Sequence, residues 1–458
     1  MSAVTASSIR REEGAAGSPA GYGRLPLDKV RALQWTLYRC AEQEPERRFH
    51  ALYGHVHRMD VLWRAWSVVC ANRGAPGVDG VSVDAVAVSG VEPFLQDLSR
   101  RLRTYTYRPS TLRRVQIPKP GRAGELRPLS IPTVADRVVM TAAKLVLEPV
   151  FEAGFTDVSY GFRPKRSAID ACEAVRGAAN QGREWVFEAD IRDCFGTIDH
   201  HALMAQVARR VTDRSMLKLI RNWLRMGVLE GGVTSPTGAG TPQGSPISPL
   251  LANVALHVLD EAWQGRGRWL GTLVRYCDDF VVLSPTRERA EQARVLAAEV
   301  LGGLGMRLHP EKSGIVCLSR GGQGFDFLGF HHRKVESWRW RGRFYLQRWP
   351  SARAMKVLRE KVRAATSRSR TELPVASIVA DLNPVLRGWA GYFRNGNSGR
   401  KFNAVDAYVH ERLAIFASRK HGLAGRNWIT RYTYAWLGRL GVYRLTGNVH
   451  WITAHASR

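Results

Sequence analysis

The spacing of apolar and polar positions changes several times along this chain, and each change marks a different element. From about residue 26 to 71 apolar residues recur at helical spacing, through LYRCAEQEPERRF and VLWRAWSVVCANR. GAPGVDG (74–80) then ends the pattern in a sharp Gly/Pro turn. After a basic stretch at 100–127, helices are expected around 134–151 and 167–180, followed by a strand in EWVFEADI (184–191). Residues 200–226 and 248–262 read as helical and 271–283 as a hairpin. A helix at 287–304 leads to strands near 314–317 and 325–330. Strands and helices mix without strict βαβ alternation, which favours α+β over a doubly wound sheet. Beyond 350 only helical stripes remain: Met355, Leu358 and Val362; Ile378, Leu382, Leu386 and Trp389; Phe402, Val405, Val409, Leu413 and Phe416. Three such helices can share one core and turn their Arg-rich faces outward.

Composition sharpens this picture. The 458 residues are 45% hydrophobic, enough to bury a sizeable core, and the formal charge is +28. A field of that sign attracts nucleic acid or an anionic membrane. Codon bias toward arginine does not account for its distribution. Residues 331–458 hold 25 basic against 6 acidic side chains and 17 of the 42 aromatics. Guanidinium groups pair with phosphates and aromatic faces stack on bases, so this mixture points to nucleic acid. Six scattered cysteines (40, 70, 172, 194, 277, 317) include no C-x-x-C pair and give no zinc module or disulfide framework. No apolar run approaches membrane-spanning length and no secretory segment opens the chain, so no membrane partner and a cytoplasmic location are expected. Residues 1–24, small and Gly/Ala-rich, read as a disordered tail.

The hairpin VRYCDDFVVL (274–283) raises the question of chemistry. Its flanks are β-branched and aromatic, yet its expected turn carries Asp278 and Asp279 in place of Gly, Asn or Pro. A third carboxylate, Asp190, lies in the apolar strand 88 residues upstream. A carboxylate there is costly unless it is paired or binds a cation. Three converging carboxylates suit two Mg²⁺ ions, which can activate a 3′-oxygen and stabilise a leaving pyrophosphate. Other segments are weaker alone. IPKPGRAGELRPLSIP (117–132) is a basic Gly/Pro hairpin with Lys119 and Arg127, able to fold over a triphosphate or simply to be an exposed loop. TPQGSPISPLLAN (241–253) opens a helix after a Gln-Gly turn, and LHPEKSG (308–314) puts Lys312 before a strand.

In this order and spacing the motifs resemble the group II intron reverse transcriptase/maturase family, from about residue 30 to 445. The resemblance includes ANRGAPGVDG, SYGFRPKRSAIDA, ADIRDCFGTIDH, TPQGSPISPLLAN, YCDD, FDFLGF and LRGWAGYFR, the last similar to the maturase (X or thumb) signature. It implies a right-hand polymerase with antiparallel palm sheet and helical thumb, using two Mg²⁺ ions and dNTP substrates. Its partners would be group II intron RNA, an RNA template and a DNA primer or target. By the same resemblance Asp190, Asp278 and Asp279 are the metal-binding catalytic residues, and the Ile191 carbonyl is a further ligand. Phe195 is the aromatic gate against a ribose 2′-hydroxyl, Lys119 and Arg127 grip the triphosphate, and Gln243 lies beside nucleotide and template. Lys312 would donate a proton to pyrophosphate, and FLGF (327–330) corresponds to the primer grip. Arg387, Arg394, Arg400 and Lys401, around the maturase signature, are candidate RNA contacts.

The implied domains are fingers and palm at 26–335 after the tail (1–25), a thumb/maturase domain at 336–422, and a basic segment at 423–458 that would be a remnant DNA-binding region. This sequence departs from the family at Cys277, where Ala is common, and at Gly196, where Asp is frequent. The paired cysteines of an HNH endonuclease module are not seen after Cys317. The leading reading is an RNA-directed DNA polymerase that also promotes splicing of its intron. The alternatives are a maturase-only RNA-binding splicing factor, which the three intact aspartates disfavour, and a free-standing or defence-associated reverse transcriptase.

Overall fold

The computed structural model describes residues 25–119, 121, 124–235, 238–422 and 428–450. The expected N-terminal tail therefore lies outside the described residues, except for its last residue, Leu25. In chain order the strands are β1 (Leu112–Pro118), β2 (Leu126–Ile131), β3 (Trp185–Asp190), β4 (Val228–Glu230), β5 (Val233–Ser235) and β6 (Thr272–Tyr276). They continue with β7 (Asp279–Ser284), β8 (Gly314–Cys317), β9 (Phe325–Phe327), β10 (Phe330–Glu336) and β11 (Phe344–Pro350). They form three sheets, ordered β2-β1-β4-β5, β6-β7-β3-β8 and β11-β10-β9. All pairings are antiparallel except β1 with β4.

The β6-β7-β3-β8 sheet divides the interior in two, because successive side chains of a strand leave on opposite faces. Phe187, Ala189, Leu273, Phe280 and Val282 enter one core with the helices Met59–Ala71, Val134–Glu152 and Ser248–Ala262. Val186, Val274, Val281 and Leu283 enter the other with the helix Ala168–Asn180, β9–β11 and the C-terminal helices. The chain is α+β, as its patterning indicates.

The helical stripes beyond 350 become the helices Ala352–Ala365, Val375–Phe393 and Gly399–Lys420, with Met355, Leu358, Val362, Ile378, Leu382, Leu386, Phe402, Val405, Val409, Leu413 and Phe416 all buried. Elsewhere the expected elements are subdivided. The helical stretch 26–71 is three helices, Leu25–Gln43, Tyr53–Val56 and Met59–Ala71. The stretch 200–226 breaks into His200–Arg210 and Arg214–Leu224 at Asp213. One carboxylate oxygen of Asp213 caps the second helix by accepting from the backbone N–H of Ser215 and Met216. The other accepts from Leu52 and Tyr53, about 160 residues away in the chain, at 2.8 and 2.7 Å.

The expected junction at 335/336 falls inside the β10–β11 hairpin, and the all-helical part begins at Ala352. The described residues of the expected basic segment at 423–458, which are 428–450, pack against the preceding helices. Leu437 and Leu445 are buried in the thumb core, and Asp406 accepts from the backbone N–H of Leu445 and Thr446, each at 2.9 Å. Among the described residues no helix is long and apolar enough to cross a membrane.

Candidate active site

The central sheet brings the three aspartates together by register. Asp190, the last residue of β3, pairs directly with Asp279, the first of β7, and Asp279 pairs on its other side with Tyr276. Only Cys277 and Asp278 are left to form the turn, so Asp279 belongs to the strand and not to the tip as the sequence suggests. Cys277 takes φ +59°, the left-handed geometry a two-residue hairpin loop requires. Beyond β3, Ile191 bridges Leu308, with His309 N–H donating to Asp190 O at 2.8 Å and Arg192 N–H to Arg307 O at 2.9 Å. Because those bonds flank Ile191, its own carbonyl turns away from residue 308 toward the β7 side, while its side chain is buried.

The carboxylates are partly shielded from solvent and feel one another. Burial pushes the Asp279 carboxyl well above the usual range, and the charges of Asp278 and Asp190 add to the effect. Burial also raises Asp278, with Asp190 adding to it and the positive charge of Arg127 opposing it. Such crowding of like charge calls for a cation. Lys312 meets part of that need: its ammonium lies 2.6 Å from Asp190 Oδ2. Among the described residues no three ligating side chains are gathered closely enough to hold one ion as they stand. The donor set, all oxygen and mutually repelling, nevertheless fits a hard divalent cation.

The remaining candidates divide. Arg127, opposite Ile117 on the β1–β2 hairpin, donates to Gln243 Oε1 at 2.9 Å, and the Gln243 carbonyl accepts from Ser130 N–H at 2.7 Å. The fingers hairpin and the Gln-Gly turn are thus tied together beside Asp278. Lys119 sits further out, ion-paired with Glu125 at 3.0 Å across the hairpin end. Phe195 follows Asp193, which adopts φ +45°, and packs half-buried on the core. Its carbonyl accepts from Thr241 N–H at 2.6 Å, and a Cβ on Gly240 would strike that carbonyl, so glycine is required there. In the thumb Arg387 is exposed with its guanidinium 5.6 Å from the Tyr443 ring centre, Arg400 is exposed, and Arg394 and Lys401 are half-buried.

A clamp beneath the aspartate turn escapes the sequence reading. Arg275 is fully buried; its Nε donates to Asp260 Oδ1 at 2.7 Å and a second nitrogen to Oδ2. Its remaining nitrogen donates to Asn253 Oδ1 and to the carbonyl of Cys277 in the turn, both at 3.1 Å. Burial alone would raise Asp260, but the guanidinium holds it below the usual carboxylate range. Asn253 in turn donates to the Gly161 carbonyl at 2.7 Å. A Cβ on Gly161 would come within 2.5 Å of Cys277 N, so SYGF can lie against the turn only with glycine there. The signal was present: an arginine inside the largely apolar strand β6 needs a buried acid.

The signature LRGWAGYFR likewise joins thumb to palm. Tyr392 OH donates to the Leu328 carbonyl at 2.8 Å in the FLGF turn, where Leu328 and Gly329 take φ +50° and +80°. Phe393 meets Phe330 edge to face at 4.9 Å.

Comparison with known proteins places this geometry. Residues 117–332 match the reverse transcriptase (RNA-dependent DNA polymerase) family, and residues 355–434 match the group II intron maturase-specific domain. The chain is 33% identical to protein YkfC of Escherichia coli over 67% of its own length and 88% of that protein. It is 35% identical to the group II intron-encoded protein LtrA of Lactococcus lactis over 48% of its own length, but covers only 36% of LtrA. A solved Cas6-RT-Cas1–Cas2 complex is similar at 24% identity over 55% of this chain and 40% of that one, with a TM-score of 0.36, too low to carry weight. With a polymerase domain holding the aspartate register and a maturase domain bolted to its FLGF turn, this chain belongs to the group II intron reverse transcriptase/maturase family of RNA-directed DNA polymerases.

Proposed function

We propose that the chain copies RNA into DNA at the β3–β7 junction, with Asp190, Asp278, Asp279 and the Ile191 carbonyl as ligands for two Mg²⁺ ions. The observation that carries this reading is the direct pairing of Asp190 with Asp279, with Asp278 next to it in the turn. When bound, the ions would supply charge neutralisation for the attacking 3′-oxygen and the leaving pyrophosphate. The protein's own part is placement. Arg127, held by Gln243, faces the triphosphate, and Lys119 reaches it from the hairpin end. Lys312, whose ammonium lies 2.6 Å from Asp190, would donate a proton to the leaving pyrophosphate. Phe195 excludes a 2′-hydroxyl from the sugar site. Arg387, Arg394, Arg400 and Lys401 hold intron RNA and so support splicing.

Primer extension on an RNA template tests the site. Asp190→Asn, Asp278→Asn and Asp279→Asn are each expected to lose DNA synthesis, and near-normal synthesis by any of them overturns the assignment. Asp278→Asn is expected to keep intron binding and splicing, whereas joint replacement of the four basic thumb residues by Ala weakens both. The reverse pattern would put the two functions on the wrong parts of the chain.

A further inference from the structure

The hairpin joining β10 to β11 ends in SWRWRGR (337–343), a segment that neither the polymerase nor the maturase reading uses. Trp338 is 93% exposed and Trp340 51%. An indole left that far in water adds nothing to the core and is a poor surface residue unless something covers it. Arg339, Arg341 and Arg343 alternate with the two indoles and are all exposed, with the Arg339 guanidinium 5.3 Å from the Trp340 ring centre.

The tip is internally fixed. Ser337 Oγ accepts from the backbone N–H of Arg339 and Trp340 at 3.3 and 3.2 Å. Ser337 N–H donates to Arg343 O at 2.8 Å, and the Glu336 carboxylate accepts from Gly342 N–H at 2.7 Å. The stem is anchored too. Arg333 donates to the Gly321 carbonyl, Lys334 pairs with Glu184, and Leu346 N–H donates to Asn180 Oδ1 at 3.0 Å. At about 3.3 Å per residue, the seven-residue β10 carries the tip roughly 20 Å beyond Phe330 and the thumb contact.

We propose that this tip binds an unpaired stretch of RNA, with bases stacked on Trp338 and Trp340 and phosphates paired with Arg339, Arg341 and Arg343. Charge complementarity selects the occupant. Three guanidinium groups lie within five residues, residues 337–343 contain no acid, and the adjoining carboxylate, Glu336, is turned onto the Gly342 backbone. Alternating cations and ring faces match the alternating phosphates and bases of a strand, whereas an apolar protein surface would leave the cations unmatched. Paired bases hide their faces, so a single strand is preferred to a duplex. The anchored tip loses little freedom on binding.

The test uses the full chain and a labelled, unstructured RNA of about 20 nucleotides, alone and annealed to its complement, read by fluorescence anisotropy across salt concentrations. Trp338→Ala/Trp340→Ala is expected to weaken single-strand binding by about tenfold or more, and duplex binding by about twofold or less. Trp338→Phe/Trp340→Phe should restore binding to within about threefold. Replacing the three arginines by Ala should flatten the plot of log K against log salt by about two. Single-strand binding by the alanine pair within about twofold of wild type overturns the proposal. Equal loss for strand and duplex also overturns it, as does equal loss by the Phe and Ala pairs. Loss of binding to phosphatidylserine vesicles with RNA binding intact would assign the tip to a membrane instead.

Discussion

Replacing Arg275 separates what stabilises the aspartate turn from what stabilises the fold. Arg275 and Asp260 are both fully buried, and the guanidinium makes four hydrogen bonds, two to Asp260 and one each to Asn253 and Cys277. Truncation to Ala leaves the Asp260 carboxylate without its guanidinium, with His257 Nδ1 at 3.6 Å as a weak remaining neighbour. Breaking such a pair costs about 3–5 kcal/mol. With an unfolding entropy of about 2.1 cal/mol/K per residue, a cooperative melt of all 458 residues shifts by about 1 °C per kcal/mol, hence about 3–5 °C here. Arg275→Met with Asp260→Leu removes both charges, and a buried pair replaced by apolar side chains is often close to neutral. The double variant is therefore expected to recover most of the melting temperature. It does not recover the donor to the Cys277 carbonyl, so the turn loses its tether, and kcat for primer extension should stay about tenfold or more below wild type. Arg275→Lys keeps one charge but cannot reach Asp260, Asn253 and Cys277 together, and should fall between. Melting is followed by calorimetry and kcat by single-nucleotide addition. Full synthesis by a double variant that melts normally would refute the positioning role; an unshifted melt in Arg275→Ala would refute the buried-pair reasoning.

Asp279→Asn should raise the melting temperature of the metal-free protein at pH 8 while losing synthesis. The folded pKa of Asp279 is raised, so its contribution to stability is complete below the unfolded carboxylate pKa of about 4 and lost as pH rises through the folded value. A melt lower than wild type at pH 8 would count against that shift. Glu188, lifted by burial and by Asp326 to about 7, obeys the same sign. Glu188→Gln should stabilise at pH 8 and do little below pH 4.5, and equal gains at both would point to packing instead of charge. Phe195→Val should admit ribonucleotides with little loss of deoxynucleotide use, and unchanged discrimination would refute the gate.

The legibility of this chain follows the range of the forces involved. The thumb stripes were readable because amphipathic spacing is a local property, and the stripe residues are buried as the spacing implies, except Trp389, which packs half-buried against the same core. Asp190, Asp278 and Asp279 were readable as a set because carboxylates in apolar strands have few inexpensive explanations. β4, β5 and β11 were not, since strands of three residues carry no period and β11 interrupts its apolar positions with Gln347 and Arg348 and ends in Pro350. The Asp213 cap and the Arg275 clamp join residues distant in sequence or in separate elements. Only the three-dimensional path shows which acid meets which backbone.

The two departures from the family pattern differ in how far packing accounts for them. At Gly196 a Cβ would meet only the carboxylate of Asp193, an exposed side chain at the start of the Cys194–Thr197 helix that is free to turn aside, so space alone does not require glycine there. Asp193 already supplies an acid in this turn, and a second one at 196 would crowd it with like charge. Cys277 is 1% exposed, and burial pushes its thiol well above the usual range, with the charge of Asp278 adding to it. The thiol therefore stays neutral beside the aspartates and behaves as a small apolar side chain, as Ala would. What position 277 must preserve is its backbone: φ +59°, a carbonyl held by Arg275, and an N–H pressed against Gly161. The side chain there is free to vary within a small volume because the placement of Asp278 and Asp279 is enforced from below by Arg275, Asn253 and Gly161.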